Sequence, residues 1–307
     1  MAAAQSAPTE APAVGVSIPG VPGLFRAPLP KIGDAPMKRF DNGAVMYGDI
    51  IYSEVRGYRP MMLDLYLPEG ADSAEGLPLV MWYHGGGYQI GNPRADWTYG
   101  DWTEVLGRLA ARGFAVAAVT YRFQGEAPFP AQLDDGRAAI SFVQANAERW
   151  HIDPSRTYVW GLSAGAHLAQ MLGVTGDGVQ GPAVAGTAEW FGPSDLVLRS
   201  LVPERAKRYA ELLGCPELCS DEELASASPV TYVNAETAPF FIAQGVEDGL
   251  VPVEQADVLY AALQEHGVPV TYQRLEGMGH GFVGGTTDQH EQILLDTFAF
   301  FEDMADQ

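Results

Sequence analysis

The sequence predicts an α/β fold: a mostly parallel central sheet opened by an antiparallel hairpin, helices on both faces, and a small lid-like insertion. Three observations predict it. Strand-like and helix-like stretches alternate between Leu79 and Met304. Two apolar runs precede that alternation, and the breaker Arg56-Gly57-Tyr58-Arg59-Pro60 separates them like a hairpin turn. The 307 residues are 47% hydrophobic and 19% charged, a globular composition with room for one large domain.

Taken in order, residues 1–40 are rich in Pro and Gly and read as an extended arm. The main domain spans 41–307. Segments 44–55 and 61–68 form the hairpin, and 79–83 is a short apolar strand. Segment 102–112 is helical and stops at Gly113, a suitable C-terminal cap. A strand at 114–121 precedes a long amphipathic helix at 132–149, with Leu133, Ile140 and Val143 on its apolar side. Strand 157–160, helix 164–172 and strand 184–191 follow. Then come strand 240–244, helix 253–265, strand 270–275 and a terminal helix at 291–304. The interval 194–230 breaks the rhythm. It is polar, partly helical and holds both cysteines, so it is expected to insert over the top of the sheet.

The formal charge is −21, with 39 acidic against 18 basic residues. Nucleic-acid binding needs a basic footprint, and anionic membranes repel such a surface, so neither partner is expected. No apolar run approaches the roughly 18 residues of a membrane span. Ala2-Ala3-Ala4-Gln5 is like the small-residue tail of an export cleavage site, which points to a secreted or periplasmic protein. An ordinary Ala/Pro leader on a cytoplasmic protein is the alternative. Cys215 and Cys219, four residues apart in a turn-like stretch, suit either a small disulfide loop or two thiols, depending on compartment. With no other cysteine or histidine cluster to complete a site, no metal is expected.

The chemistry centres on Gly161-Leu162-Ser163-Ala164-Gly165. The serine follows a predicted strand and opens a predicted helix. Such a turn is sharp, and small residues two before and two after the serine avoid clashes with neighbouring elements. A serine at its normal pKa needs a general base and a group to orient that base. Of six histidines, His280 lies in a glycine-rich loop directly after the last strand, which places it over the carboxyl edge of the sheet. His151 and His266 sit at helix ends, and His290 is expected to face solvent. His167, one turn past the serine, is expected to aim away from it. Asp248 follows strand 240–244, with Glu247 its adjacent rival; the order serine, acid, histidine is the one expected on this sheet. The loop His84-Gly85-Gly86-Gly87-Tyr88 can present backbone N–H groups without side-chain obstruction.

Together, Tyr83-His84-Gly85-Gly86-Gly87-Tyr88, the stretch around Ser163, Gln244-Gly245-Val246-Glu247-Asp248-Gly249 and Gly277-Met278-Gly279-His280-Gly281-Phe282 resemble the α/β-hydrolase superfamily. More narrowly, the chain resembles HGGG-type carboxylesterases, related to hormone-sensitive lipases and to bacterial feruloyl and acetyl-xylan esterases. The resemblance covers residues 45–303. It implies Ser163 as nucleophile, His280 as base and Asp248 as orienting acid. Gly86, Gly87 and Ala164 match the backbone donors of the oxyanion hole, and no cofactor is implied. The elbow reads Gly-Leu-Ser-Ala-Gly-Ala, whereas lipase relatives usually carry Gly-Asp-Ser-Ala-Gly-Gly, which favours the feruloyl and acetyl-xylan side. Tyr88 and Phe282 flank the oxyanion loop and the base and are expected in the substrate pocket. The expected substrates are small-molecule or polymer-linked esters with short, medium or arylacyl groups, with acyl or feruloyl groups on plant polysaccharide and man-made polyesters as the candidate classes. The alternatives are a prolyl-oligopeptidase-like peptidase and a non-catalytic receptor on the same fold.

Overall fold

The computed structural model describes residues 29–73, 76–96, 98–176, 178 and 181–307. Most of the N-terminal arm, residues 1–28, lies outside the described residues. Its remainder is anchored: the Trp150 indole N–H donates to the Pro30 carbonyl (3.0 Å), and Leu29 and Ile32 pack on the core. A two-residue edge strand, β1 (Lys38–Arg39), pairs antiparallel with β2 (Val45–Ser53). Sequence periodicity does not register an element that short.

The hairpin β2/β3 (Met61–Leu67) pairs antiparallel as expected, with β-bulges between Tyr47 and Ile50 and between Ile51 and Ser53. The chain continues through β4 (Leu77–Tyr83), a small ribbon of β5 (Ala95–Asp96) and β6 (Gly100–Asp101), helix α1 (Trp102–Ala110), β7 (Ala115–Val119), α2 (Ala131–Ala145), β8 (Ile152–Leu162), α3 (Ala164–Thr175) and β9 (Gly186–Trp190). After the insertion come β10 (Phe240–Gly245), α7 (Glu254–Glu265), β11 (Val270–Leu275) and α8 (Thr287–Ala305). The main sheet has the order β1-β2-β3-β7-β4-β8-β9-β10-β11. The pairs from β7 through β11 are all parallel.

Strand β4 shows why the centre reads as an unbroken apolar run: both its faces are covered. Leu77, Leu79, Met81 and Tyr83 pack with α2 and α3, while Val80 and Trp82 pack with α1 and α8. A third cluster seats α7 on Phe240 and Ile242 beside Val174 of α3. Thus α2, α3 and α7 cover one face and α1 and α8 the other.

Element ends differ from the sequence reading for local reasons. Strand β8 starts at Ile152, not near 157. An irregularity absorbs the intervening residues, and Asp153 accepts from the Ser155 N–H at 3.0 Å to turn the chain. Helix α8 starts at Thr287, because Thr286 and Gln289 form a reciprocal capping box.

The insertion is ordered into α4 (Leu196–Ser200), α5 (Pro203–Leu213) and α6 (Asp221–Ser226), followed by a short turn of 3₁₀-helix. Gly214 ends α5 in the left-handed region (φ 74°), and a disulfide joins Cys215 to Cys219 before α6 begins. Tyr209, Ala210, Leu212 and Leu224 are buried, so the segment is less polar where it meets the body than its composition suggests.

Candidate active site

Four strands deliver their carboxyl ends to one place. The glycine loop follows β4, Ser163 follows β8, Asp248 follows β10 and His280 follows β11. This is the edge where ligands bind in open α/β sheets.

Ser163 sits at φ 54°, ψ −117°, a backbone state that is strained for any residue with a side chain. The surrounding structure holds it there. The Ser163 N–H donates to the Trp190 carbonyl (2.9 Å), and its own carbonyl accepts from the His167 N–H at 3.0 Å. The flanking glycines are required by contact. A Cβ on Gly165 would lie 2.1 Å from the Tyr83 carbonyl oxygen.

His280 Nε2 lies 3.1 Å from Ser163 Oγ, and its Nδ1 lies 2.7 Å from Asp248 Oδ2. Asp248 Oδ1 accepts the Leu250 and Val251 N–H groups, each at 2.8 Å, and Oδ2 accepts from the Gln244 side-chain amide at 3.2 Å. A carboxylate serving only as acceptor keeps the proton on Nδ1 and leaves Nε2 facing the serine hydroxyl. The Phe191 ring packs edge-on to the imidazole (4.8 Å between centroids) and fixes its plane. Asp248 is buried while Glu247 is exposed, so the structure brings only the aspartate to His280.

The glycine loop is tightly built. Gly86 has φ 113° and Gly87 φ 61°. A Cβ on Gly86 would lie 1.9 Å from the Ile90 carbonyl oxygen. Beneath the loop, the Tyr121 hydroxyl donates to the His84 carbonyl (2.6 Å), and the two rings stack. Burial lowers the His84 pKa to about 4, which keeps the ring neutral. Gly87 and Ala164 line the pocket beside Ser163, and Gly86 shapes the turn that carries Gly87, its carbonyl accepting the Gln89 and Ile90 N–H groups. As first residue of α3, Ala164 has an N–H without an intrahelical acceptor.

The other histidines have other roles. His151 caps the end of the short 3₁₀-helix Ala147–Trp150 in the left-handed region (φ 52°), at a helix end as expected. His167 points away from Ser163 Oγ: its Nδ1 meets the Tyr88 hydroxyl and its Nε2 the Ala227 carbonyl, both at 2.7 Å. The carbonyl is acceptor-only, so Nε2 carries the proton and Nδ1 accepts from Tyr88. Burial lowers the His167 pKa to about 4. His167 therefore ties the nucleophile helix to the insertion. The His266 ring lies 3.0 Å from the Ala262 carbonyl at the end of α7. His290 is half-buried rather than solvent-facing, since its Nε2 lies 2.8 Å from the Phe282 carbonyl.

Tyr88 lines the pocket, but Phe282 does not. The expectation for Phe282 is corrected. Its backbone (φ 59°) turns the ring inward, where it is fully buried against Trp190 and Phe191. It supports the wall behind His280 through Phe191.

Sequence reasoning missed two features. Glu189 is fully buried on β9, level with Gly161 of β8, and accepts the Gly192 N–H at 2.9 Å. Burial pushes its pKa up to about 8, so the carboxyl is protonated at neutral pH. The insertion also contributes Arg199, Arg205 and Arg208 to the pocket. The spacing of Arg205 and Arg208 places them on one helix face, a signal visible in sequence, but not which face turns inward. The pocket opens to solvent, and its apolar wall includes Tyr88, Leu196, Tyr209, Leu212 and Val251.

The BD-FAE family model matches residues 63–263. The chain is 27% identical over 265 residues to the probable carboxylic ester hydrolase LipM of Mycobacterium tuberculosis, covering 82% of this chain and 60% of that protein. It is 31% identical over 265 residues to carboxylesterase NlhH of the same species, covering 81% and 76%. The chain spans 60%, 60% and 53% of the length of the first three curated relatives it matches. A truncated carbohydrate esterase from gut microbiota shares the fold with a TM-score of 0.71 at 24% identity, covering 88% of this chain and 99% of that one.

Proposed function

The chain belongs to the BD-FAE family of α/β-hydrolase esterases, and on that premise we propose that it is a serine carboxylesterase acting through an acyl-enzyme on short- to medium-chain or arylacyl esters. The observation that carries the reading is the relay from Asp248 through His280 to Ser163, at 2.7 and 3.1 Å.

In the first half-reaction His280 Nε2 takes the Ser163 proton as Oγ attacks the ester carbonyl. Negative charge builds on the carbonyl oxygen, and the N–H groups of Gly86, Gly87 and Ala164 are the donors assigned to it. The tetrahedral intermediate collapses, His280 protonates the leaving alcohol, and the acyl group stays on Oγ. Water, deprotonated by His280, then releases the acid and restores the serine. Asp248 stabilises the imidazolium in both halves without itself accepting the proton.

The pocket supports the substrate range. Each methylene contributes about 0.8 kcal/mol only where it is buried, so a long chain needs a long apolar trench. Here the wall is interrupted by three arginines. Acetyl-xylan and feruloyl polysaccharide are the proposed natural class, in keeping with the elbow sequence. The disulfide supports a secreted or periplasmic site of action, because such bonds persist in oxidising compartments. A panel of p-nitrophenyl butyrate and palmitate, methyl ferulate and acetylated xylan tests the reading. Butyrate should exceed palmitate in kcat/KM, and at least one plant-type ester should be cleaved. Preference for palmitate contradicts the proposed range.

A further inference from the structure

The pocket beside Ser163 concentrates positive charge in a chain of formal charge −21. Several arginines elsewhere are matched by carboxylates, among them Arg59 with Glu126, Arg94 with Asp64, Arg122 with Asp135 and Arg156 with Asp153. Among the described residues, Arg199, Arg205 and Arg208 have no ion pair, although acidic residues outnumber basic ones by more than two to one. Arg39, Arg56 and Arg149 share that lack but are exposed, whereas these three are buried or half-buried and line the pocket.

Each of the three is held by the insertion. Arg199, 9% exposed, donates through Nη1 to the Tyr209 hydroxyl (2.8 Å) and through Nη2 to the Leu250 carbonyl. Its Nε is buried without a partner. Arg208 lies across the oxyanion loop, with Nη2 3.4 Å from the Gly87 carbonyl oxygen, and Arg205 stands one helical turn before it. A buried guanidinium lacking a counter-charge is costly, and the cost is removed when an anion enters. The apolar wall of Leu196, Leu212 and Val251 lowers the local dielectric and strengthens that attraction.

We propose that these arginines recognise a carboxylate on the substrate, so that the preferred ester carries a free acid group in its acyl or its alcohol part. The planar fork of a guanidinium matches a carboxylate in two parallel hydrogen bonds, which gives orientation as well as attraction. The proposal rests on the esterase reading and sharpens it from ester size to ester charge.

Two pairs of acid and amide isosteres test it. Monomethyl adipate against methyl adipamate places the charge in the acyl part; acetoxypropionate against acetoxypropionamide places it in the alcohol part. In one pair the acid should exceed the amide in kcat/KM by about tenfold or more. Arg205→Gln and Arg208→Gln should each reduce that ratio several-fold, Arg208→Lys should retain part of it, and added salt should lower it. A merely structural role would depress acid and amide together and leave the ratio unmoved. Amide preference in both pairs, or a ratio unchanged in both glutamine variants, overturns the proposal. Turnover of p-nitrophenyl butyrate without acid preference sinks the carboxylate reading alone, whereas failure on every ester sinks the esterase reading with it.

Discussion

A Cβ added to Gly161 would lie 2.1 Å from the carbonyl oxygen of Gly165. The two residues bracket Ser163, and backbone rather than a flexible side chain stands in the way. The strand cannot retreat, because Gly161 is paired with Tyr83 on one side and Glu189 on the other. Gly161→Ala should therefore cost more than the roughly 1–3 kcal/mol of ordinary overpacking and displace the nucleophile. Thermal unfolding should show a large fall in Tm, with activity reduced further than stability. An unchanged Tm would show that the turn has slack the structure denies.

Asp248 is assigned to orient His280, and Asn would keep its shape while donating an N–H where the carboxylate accepted one. The imidazole would then turn its lone pair to Nδ1 and its proton toward the serine. Asp248→Asn should lower kcat by orders of magnitude, up to about 10⁴-fold, with little change in KM. Glu247→Gln, at an exposed side chain, should leave turnover near wild type. The reverse pattern would move the acid to Glu247.

Glu189 links stability to pH. Its pKa is about 8 in the fold against 4.5 as the ordinary value. Between those values the folded chain keeps a proton that the unfolded chain releases, so this contribution is full at acid pH and lost as pH rises through about 8. His84 and His167, each held near 4 against 6.5, act in the opposite sense: their contribution is full above 6.5 and lost as pH falls toward 4. Glu189→Gln cannot titrate. The Tm difference between wild type and this variant should shift against wild type as pH rises from 5 to 8 (a window set by the two pKa values). Parallel Tm curves across that window would show that Glu189 is not protonated in the fold.

Legibility followed the range of the interaction that decides each feature. The elbow was readable because strand, glycine, serine, glycine and helix are contiguous. Asp248 and His280 were readable because each closes a strand, and chain order then limits the candidates. The boundary of α8 was missed because a capping box, not the apolar periodicity, starts that helix. Phe282 was misplaced because a left-handed backbone turns its ring into the core, a reversal that neighbouring glycines do not announce. The arginines were overlooked for a different reason. On paper they are polar residues on a polar segment; their role depends on which face of α5 is laid over the pocket, which only long-range packing decides.

Covalent trapping tests the central claim most directly. An alkyl fluorophosphonate should add one group per chain, measured by intact mass, and peptide mapping should place it on Ser163. Ser163→Ala, folded by circular dichroism, should take up none and should lose nearly all hydrolysis of p-nitrophenyl butyrate. An adduct on another residue in active enzyme, or wild-type turnover by Ser163→Ala, would contradict Ser163 as the nucleophile.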